Sequence, residues 1–133
     1  QSIAKTTIPL ALEKDVGIIL GSPLTGSLLA GPEPKIDVEK ELPSDLPPSL
    51  IGSKLDPAVL PVAHQMWKWC DDRDLNIRDL AIQFALQAPV EGNGIVLTGP
   101  SNLKEFDEVY KSATNEVPKN VWQDFKHAFG ISI

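Results

Sequence analysis

The chain has 133 residues, 42% hydrophobic and 23% charged, with a net charge of −6. That length supports one domain with a core of its own and not two, and the composition is that of an ordinary soluble globular protein. The acidic balance speaks against nucleic acid and against an anionic membrane as partners, and no apolar run approaches the length of a membrane span.

Cys70 is the single cysteine. An internal disulfide and a cysteine-based metal cluster are therefore excluded, and a buried, inert thiol in a reducing, cytoplasmic setting is expected. The chain opens on Gln1 rather than Met, with no signal-peptide pattern. It is expected to begin inside a longer reading frame or after processing.

Residues 3–14 have helical spacing, with Ile3, Leu10 and Ala11 on one side, and Pro9 is expected to kink that helix. Val16, Gly17, Ile18, Ile19 and Leu20 form a continuous apolar run that stops at Gly21, Ser22 and Pro23. Such a run predicts a strand covered on both faces, as in a parallel sheet. Residues 31–57 hold six of the twelve prolines (Pro32, Pro34, Pro43, Pro47, Pro48 and Pro57), with acidic residues and Gly52 between them. A long irregular loop follows from that composition, and such loops are functional lids or partly disordered segments.

Asp56 as N-cap and Pro57 in the first turn open the next predicted helix. Its apolar stripe is Val59, Val62, Ala63, Met66 and Cys70, flanked by Trp69, and Asp71, Asp72, Arg73 and Asp74 end it. Asn76 caps a second helix with Ile77, Leu80, Ala81, Phe84 and Ala85 on one face, and Pro89 lies just beyond its end. Ile95 to Leu97 predict a second strand. Asn102, with Glu105 three residues later, makes a capping-box arrangement for a helix whose apolar face is Leu103, Phe106, Val109, Tyr110 and Ala113. Pro118 starts a last helix with Val121, Trp122, Phe125 and Phe129 on one side, closed by Gly130. The alternation of strands and helices implies a parallel sheet with crossover helices.

Residues 94–108 are the most informative stretch. They run Gly-Ile-Val-Leu-Thr-Gly-Pro-Ser-Asn-Leu-Lys-Glu-Phe-Asp-Glu: a short strand, a Gly-Pro turn and a capped helix start. A strand ending at a helix N-terminus offers backbone N–H groups that have no helical partner, in a dipole that favours negative charge. A phosphate-bearing cofactor is the expectation. Other candidate groups point nowhere. His64 and His127 lack partners at metal-ligand or catalytic spacing. Asp71, Asp72 and Asp74 lack the spacing and central glycine of a calcium loop. Trp67 and Trp69 fit packing better than ligand stacking.

Two segments together resemble the aldo-keto reductase family, in the right order and over nearly the whole chain. Residues 16–31, with Gly21, Ser22, Pro23, Leu24 and Thr25, are similar to the family's seventh barrel strand and the loop against the cofactor pyrophosphate. Residues 79–86 followed by 95–108 are similar to its seventh helix, eighth strand and adenosine-binding turn. The subgroup it most resembles is the sugar and aldehyde dehydrogenase-like members. The resemblance implies an α/β fold that is the C-terminal portion of a (β/α)8 TIM barrel, its last two strands with flanking helices. Residues 1–133 would form one partial-barrel domain, not a closed barrel, since eight strands take about 250 residues.

By that resemblance Ser22, Leu24 and Thr25 line the pyrophosphate of NADP or NAD. Gly99, Ser101 and Asn102 approach the ribose or 2′-phosphate, and Glu105 and Glu108 face the adenosine. Ser101, Asn102 and Glu105 are also what plain helix capping uses, and both readings stand open. Three positions depart from the family pattern: Ser27 stands where a glycine precedes the paired leucines, Glu105 where Arg or Gln is common, and Val109 where an adenine-contacting Asn is found. An acid at 105 repels a 2′-phosphate. The catalytic Asp, Tyr, Lys and His of the family come from the earlier part of the barrel, and no residue here aligns with them. Tyr110 falls on the helix after the last strand, as a core or edge aromatic.

The implied function is the cofactor-contacting part of an NAD(P)-dependent reductase acting on a small-molecule carbonyl or sugar by hydride transfer. Unpaired sheet edges then call for a second polypeptide, either the N-terminal part of the barrel or another copy of this chain. The alternative expectation is a shortened, self-associating relative without redox activity, serving as a binding module or an enzyme of different chemistry.

Overall fold

A computed structural model describes residues 2–26, 28–30, 59–90 and 92–131. The proline-rich stretch 31–57, the Asp56–Pro57 helix start and Ser27 lie outside the described residues. The elements are α1 (Ser2–Lys5), α2 (Thr7–Glu13), β1 (Ile18–Gly21), α3 (Val59–Asp71), α4 (Ile77–Leu86), β2 (Gly94–Leu97), α5 (Leu103–Thr114) and α6 (Lys119–Phe129). The chain divides into two compact units, Gln1–Pro23 with Ile82–Ile133, and Leu24–Ala81. No helix among the described residues is long and apolar enough to cross a membrane.

In the first unit, β1 and β2 pair in parallel with register Ile18↔Gly94, Ile19↔Ile95, Leu20↔Val96 and Gly21↔Leu97. The pairing is entered through Asn93. Its carbonyl accepts the Ile18 N–H at 2.9 Å, and its side-chain amide donates to the Val16 carbonyl at 3.3 Å. The N-terminal helix is broken at Thr6 and not at Pro9. Pro9 is the third residue of α2. An N–H there has no helical partner in any case, so its loss costs the helix nothing.

In the same unit α6 carries a cluster of aromatic rings. Trp122 and Phe125 are buried, with ring centroids 6.3 Å apart edge to face, and Phe129 lies 4.8 Å from Phe125. Gly130 takes the left-handed φ of 60° that ends α6, and the Ile131 N–H returns to the Lys126 carbonyl at 3.0 Å. This six-to-one bond is the Schellman closure expected of a glycine there. Gln83 donates from one amide nitrogen to the Ser112 and Ala113 carbonyls, both at 2.9 Å. It thereby satisfies acceptors in the last turn of α5 that no helical N–H reaches.

One expectation fails in this unit, and a helix of the same unit shows the same exposure. The strand run at 16–20 is not covered on both faces, because Ile19 is 65% exposed and its neighbours Ile95 and Leu97 are more than half exposed. The apolar stripe of α5 also faces outward. Leu103 is 83% exposed, Phe106 and Tyr110 are more than half exposed, and the two aromatic rings stack at 6.5 Å. The fully buried residue of that helix is Ser112, whose hydroxyl donates to the Glu108 carbonyl at 3.0 Å. Periodicity identifies residues that share a face. It does not say that the same chain covers that face.

In the second unit, α3 buries Leu60, Ala63 and Cys70 and half-buries Trp67, while Val59 and Val62 are exposed. Of the predicted stripe, Ala63 and Cys70 are buried and Met66 is half-buried, while Leu60, off that stripe, takes the buried place in the first turn. Arg73 closes the helix end, donating to the Trp69 carbonyl at 3.1 Å with its guanidinium 4.2 Å from the Trp69 ring centre. Asn76 accepts the Arg78 N–H at 3.0 Å, the predicted cap of α4. Ile77 and Leu80 are buried as expected. The rest of α4 belongs to the first unit, where Phe84 is half-buried and Ile82, off the predicted stripe, is buried.

Two outcomes follow. A Cβ built at Gly94 would lie 2.8 Å from Val90 Cβ, so Gly94→Ala forces the entry to β2 apart. Urea unfolding should report a loss of about 1–3 kcal/mol. Burial pushes the Cys70 thiol up to about 11, against a smaller opposing pull from Arg73. In the native protein Cys70 should therefore stay unreactive toward a chromogenic disulfide at pH 8 and react fully once the chain is denatured.

Candidate functional site

Both strands run in the same direction, so Ser22 after β1 and the turn after β2 leave the sheet at its carboxyl end. That is the end at which parallel α/β sheets hold ligands. Ser22 is exposed and has a left-handed φ of 56°. Left-handed backbone at a non-glycine residue is uncommon and is sustained by the surrounding fold. Gly99 is exposed, and a Cβ added there would meet nothing within 4 Å. Its value to the turn is open space, not relief of a clash.

The start of α5 is tightly organised. Asn102 is extended, with φ −155° and ψ 169°, and its side-chain oxygen accepts the Glu105 N–H at 3.0 Å. Glu105 reaches back with Oε2, accepting the Ser101 N–H at 2.7 Å and the Ser101 hydroxyl at 2.8 Å. The Asn102 amide donates to the Ser101 oxygen at 3.2 Å. In the usual capping box the acid returns to the N-cap N–H, whereas here it returns one residue further, to Ser101. The bond from the Ser101 N–H, then that from its hydroxyl, holds the Glu105 carboxyl below the ordinary carboxylate range, with a smaller contribution from Asn102.

An internal carboxylate therefore sits against donors that a bound anion would use. The charges around it have the same sign, because Glu105, Asp107 and Glu108 stand against Lys104 alone in residues 101–108. Glu108 is half-buried, and its carbonyl holds the Ser112 hydroxyl. This turn fits a group that donates hydrogen bonds, such as a sugar hydroxyl. The negative balance works against an anion here.

Leu24 and Thr25 belong to the second unit and form a turn of their own. Their carbonyls accept the Leu29 and Leu28 N–H groups at 3.1 and 3.2 Å, and Thr25 has φ 49°. Two residues that sequence reasoning did not assign to this loop anchor it. Trp67 donates from its indole to the Leu28 carbonyl at 3.2 Å, and Arg78 donates to the Ala30 carbonyl at 2.9 Å. A signal for Arg78 existed, since a base in the first turn of a helix opposes the dipole and needs another reason to be there.

The structure thus joins Ser101, Asn102 and Glu105 directly and places Ser22 at the same end of the sheet. Leu24 and Thr25 occupy a separate tethered turn. His64 and His127 are exposed on α3 and α6, and no group of three metal-ligating side chains occurs among the described residues.

The cap makes two predictions. Asn102→Ala should cost about 0.5–2 kcal/mol in urea unfolding. Glu105 has a lower pKa folded than unfolded, so its stabilising effect is complete above the ordinary carboxylate value and is lost as pH falls through the folded value. Between neutral and strongly acidic pH, Glu105→Gln should lose less stability than the wild type, as read by denaturant midpoints across that window.

No curated protein and no solved structure matches the chain. A family model does: that of the Aldo/keto reductase family matches residues 2–128. The family's fold is a TIM barrel, and the two parallel strands with their helices form a small α/β arrangement that does not close into one. The match spans all but the ends of the sequence and includes both strands and every site residue described above. This chain belongs to the aldo/keto reductase family.

Proposed function

We propose that this chain is the C-terminal, cofactor-contacting part of an aldo-keto reductase that transfers hydride between a nicotinamide dinucleotide and a carbonyl or sugar substrate. The observation that carries this reading is the parallel β1–β2 pair, whose carboxyl end opens on Ser22 and on the capped start of α5. In this reading Ser22, Leu24 and Thr25 contact the pyrophosphate through their turns. Gly99, Ser101, Asn102, Glu105 and Glu108 surround the adenosine ribose. The dinucleotide, when bound, supplies or receives the hydride. The residues of this chain bind and orient it, while the acid–base group that moves the substrate proton is supplied from outside these residues.

The outward apolar residues support a completing polypeptide. Ile19, Ile95, Leu97, Leu103, Phe106 and Tyr110 are all more than half exposed. Each is worth roughly 1.5–3 kcal/mol when buried fully. Strands of a parallel sheet are ordinarily covered on both faces. The N-terminal part of the same barrel is the partner this reading requires, and a second copy of this chain is the competing one.

Light scattering after size exclusion, together with thermal melting with and without NADH and NADPH, tests it. An upward shift of the melting temperature with either dinucleotide supports the reading. A stable homo-oligomer of intact 133-residue chains that responds to neither would sink it and favour the self-associating, non-redox alternative.

A further inference from the structure

We infer that Trp67 and Arg78 are positioning residues: by donating to the carbonyls of Leu28 and Ala30 they hold the turn of residues 24–26 and 28–30 in the strained shape that it presents to a dinucleotide. The inference rests on the cofactor reading above and deepens it by naming two side chains that act on the ligand only through the turn.

Three observations carry it, all within the second unit. The first is strain. Thr25 has φ 49° and Gly26 φ 60°. Glycine takes left-handed backbone freely. A β-branched residue takes it only where its surroundings over-determine it, and such outliers gather at ligand clamps and switch segments. The second is the number and spacing of the outside bonds. The Trp67 indole donates to the Leu28 carbonyl at 3.2 Å, and the Arg78 guanidinium donates to the Ala30 carbonyl at 2.9 Å. One bond leaves a chain free to swing about it. Two bonds, from different helices to carbonyls two residues apart, fix position and direction together. The restraint reaches the strained residues directly, because the Leu28 N–H donates to the Thr25 carbonyl at 3.2 Å and the Leu29 N–H to the Leu24 carbonyl at 3.1 Å. Leu28 is buried at the same point. The third is the place of Arg78. It is the second residue of α4, where the helix dipole disfavours a cation. Its charge-assisted bond to Ala30 offsets that cost and gives the arginine a role that the helix itself does not.

The experiment uses the full chain and three variants. Trp67→Phe keeps an aromatic ring but removes the donor, Arg78→Met keeps the apolar stem but removes the donors, and Arg78→Lys keeps a charged donor. Amide hydrogen exchange read by NMR should quicken about tenfold or more at Leu28 and Leu29 in Trp67→Phe and in Arg78→Met, and less in Arg78→Lys. The Leu75 amide, which donates to the Cys70 carbonyl at 2.9 Å in the same unit, should keep its wild-type rate. In isothermal titration calorimetry, whichever of NADH and NADPH the wild type binds more tightly should bind about tenfold more weakly to Trp67→Phe and Arg78→Met, with partial recovery in Arg78→Lys. AMP, which has no pyrophosphate, should bind the wild type and all variants alike. A general loss of structure would quicken Leu75 and weaken AMP along with the dinucleotide, and that result would overturn the inference. Unchanged exchange at Leu28 and Leu29 would overturn it while leaving the cofactor reading intact, and so would quickened exchange with unchanged dinucleotide affinity. Binding of neither dinucleotide by the wild type or any variant would overturn the cofactor reading and the positioning role with it.

Discussion

The pairing of β1 with β2 is the constraint on which the rest depends. Residues 18–21 and 94–97 are distant in sequence, and parallel strands can meet only through a long crossover. Their register brings Ser22 and the Thr98–Asn102 turn to one end of the sheet, which gives the chain a candidate site at all. The same pairing creates an unsatisfied demand. A parallel strand is built to be covered on both sides, and Ile19 against Ile95 presents its apolar face to water. Exposed surface of that kind is expensive for a protein whose whole folding stability is of the order of 5–15 kcal/mol. The candidate site and the exposed apolar face are thus two results of one interaction.

Local chemistry was the most legible part of the sequence. Asn76, Asn102 and Gly130 each end or begin a helix where their side-chain or backbone properties say they should, because a cap is decided within four or five residues. The two strands, their parallel sense and the order of elements were also readable, from apolar runs punctuated by glycine and proline. What was not readable was the direction of burial. On α3, Val59–Val62 and Leu60–Ala63 are both apolar pairs at helical spacing, and only tertiary contacts choose between them. On α5, Leu103, Phe106 and Tyr110 were legible as one apolar face, but not whether that face is covered. The pattern records which residues share a face, and that face is exposed.

The loop tethers were illegible for a different reason. Trp67 and Arg78 donate to carbonyls of Leu28 and Ala30, nearly forty and fifty residues away in sequence. No periodicity or motif encodes such a bond. The bonds add to the burial of Leu28 in holding a turn whose Thr25 and Gly26 are left-handed. Side chains from two helices satisfy the carbonyls of Leu28 and Ala30.

Glu105 shows why the site could be read two ways from sequence. A cap and an anion site use the same unpaired N–H groups at the same helix end, so the residues that serve one resemble those that serve the other. The geometry turns that ambiguity into competition. Once the carboxylate holds both Ser101 donors, a second anion must compete with it for them. A hydroxyl-bearing ligand faces no such conflict, since it brings donors to an acceptor that still has lone pairs to offer. Capping and charge are therefore one physical fact at this position: the acid that closes the start of α5 also sets the sign of the potential there.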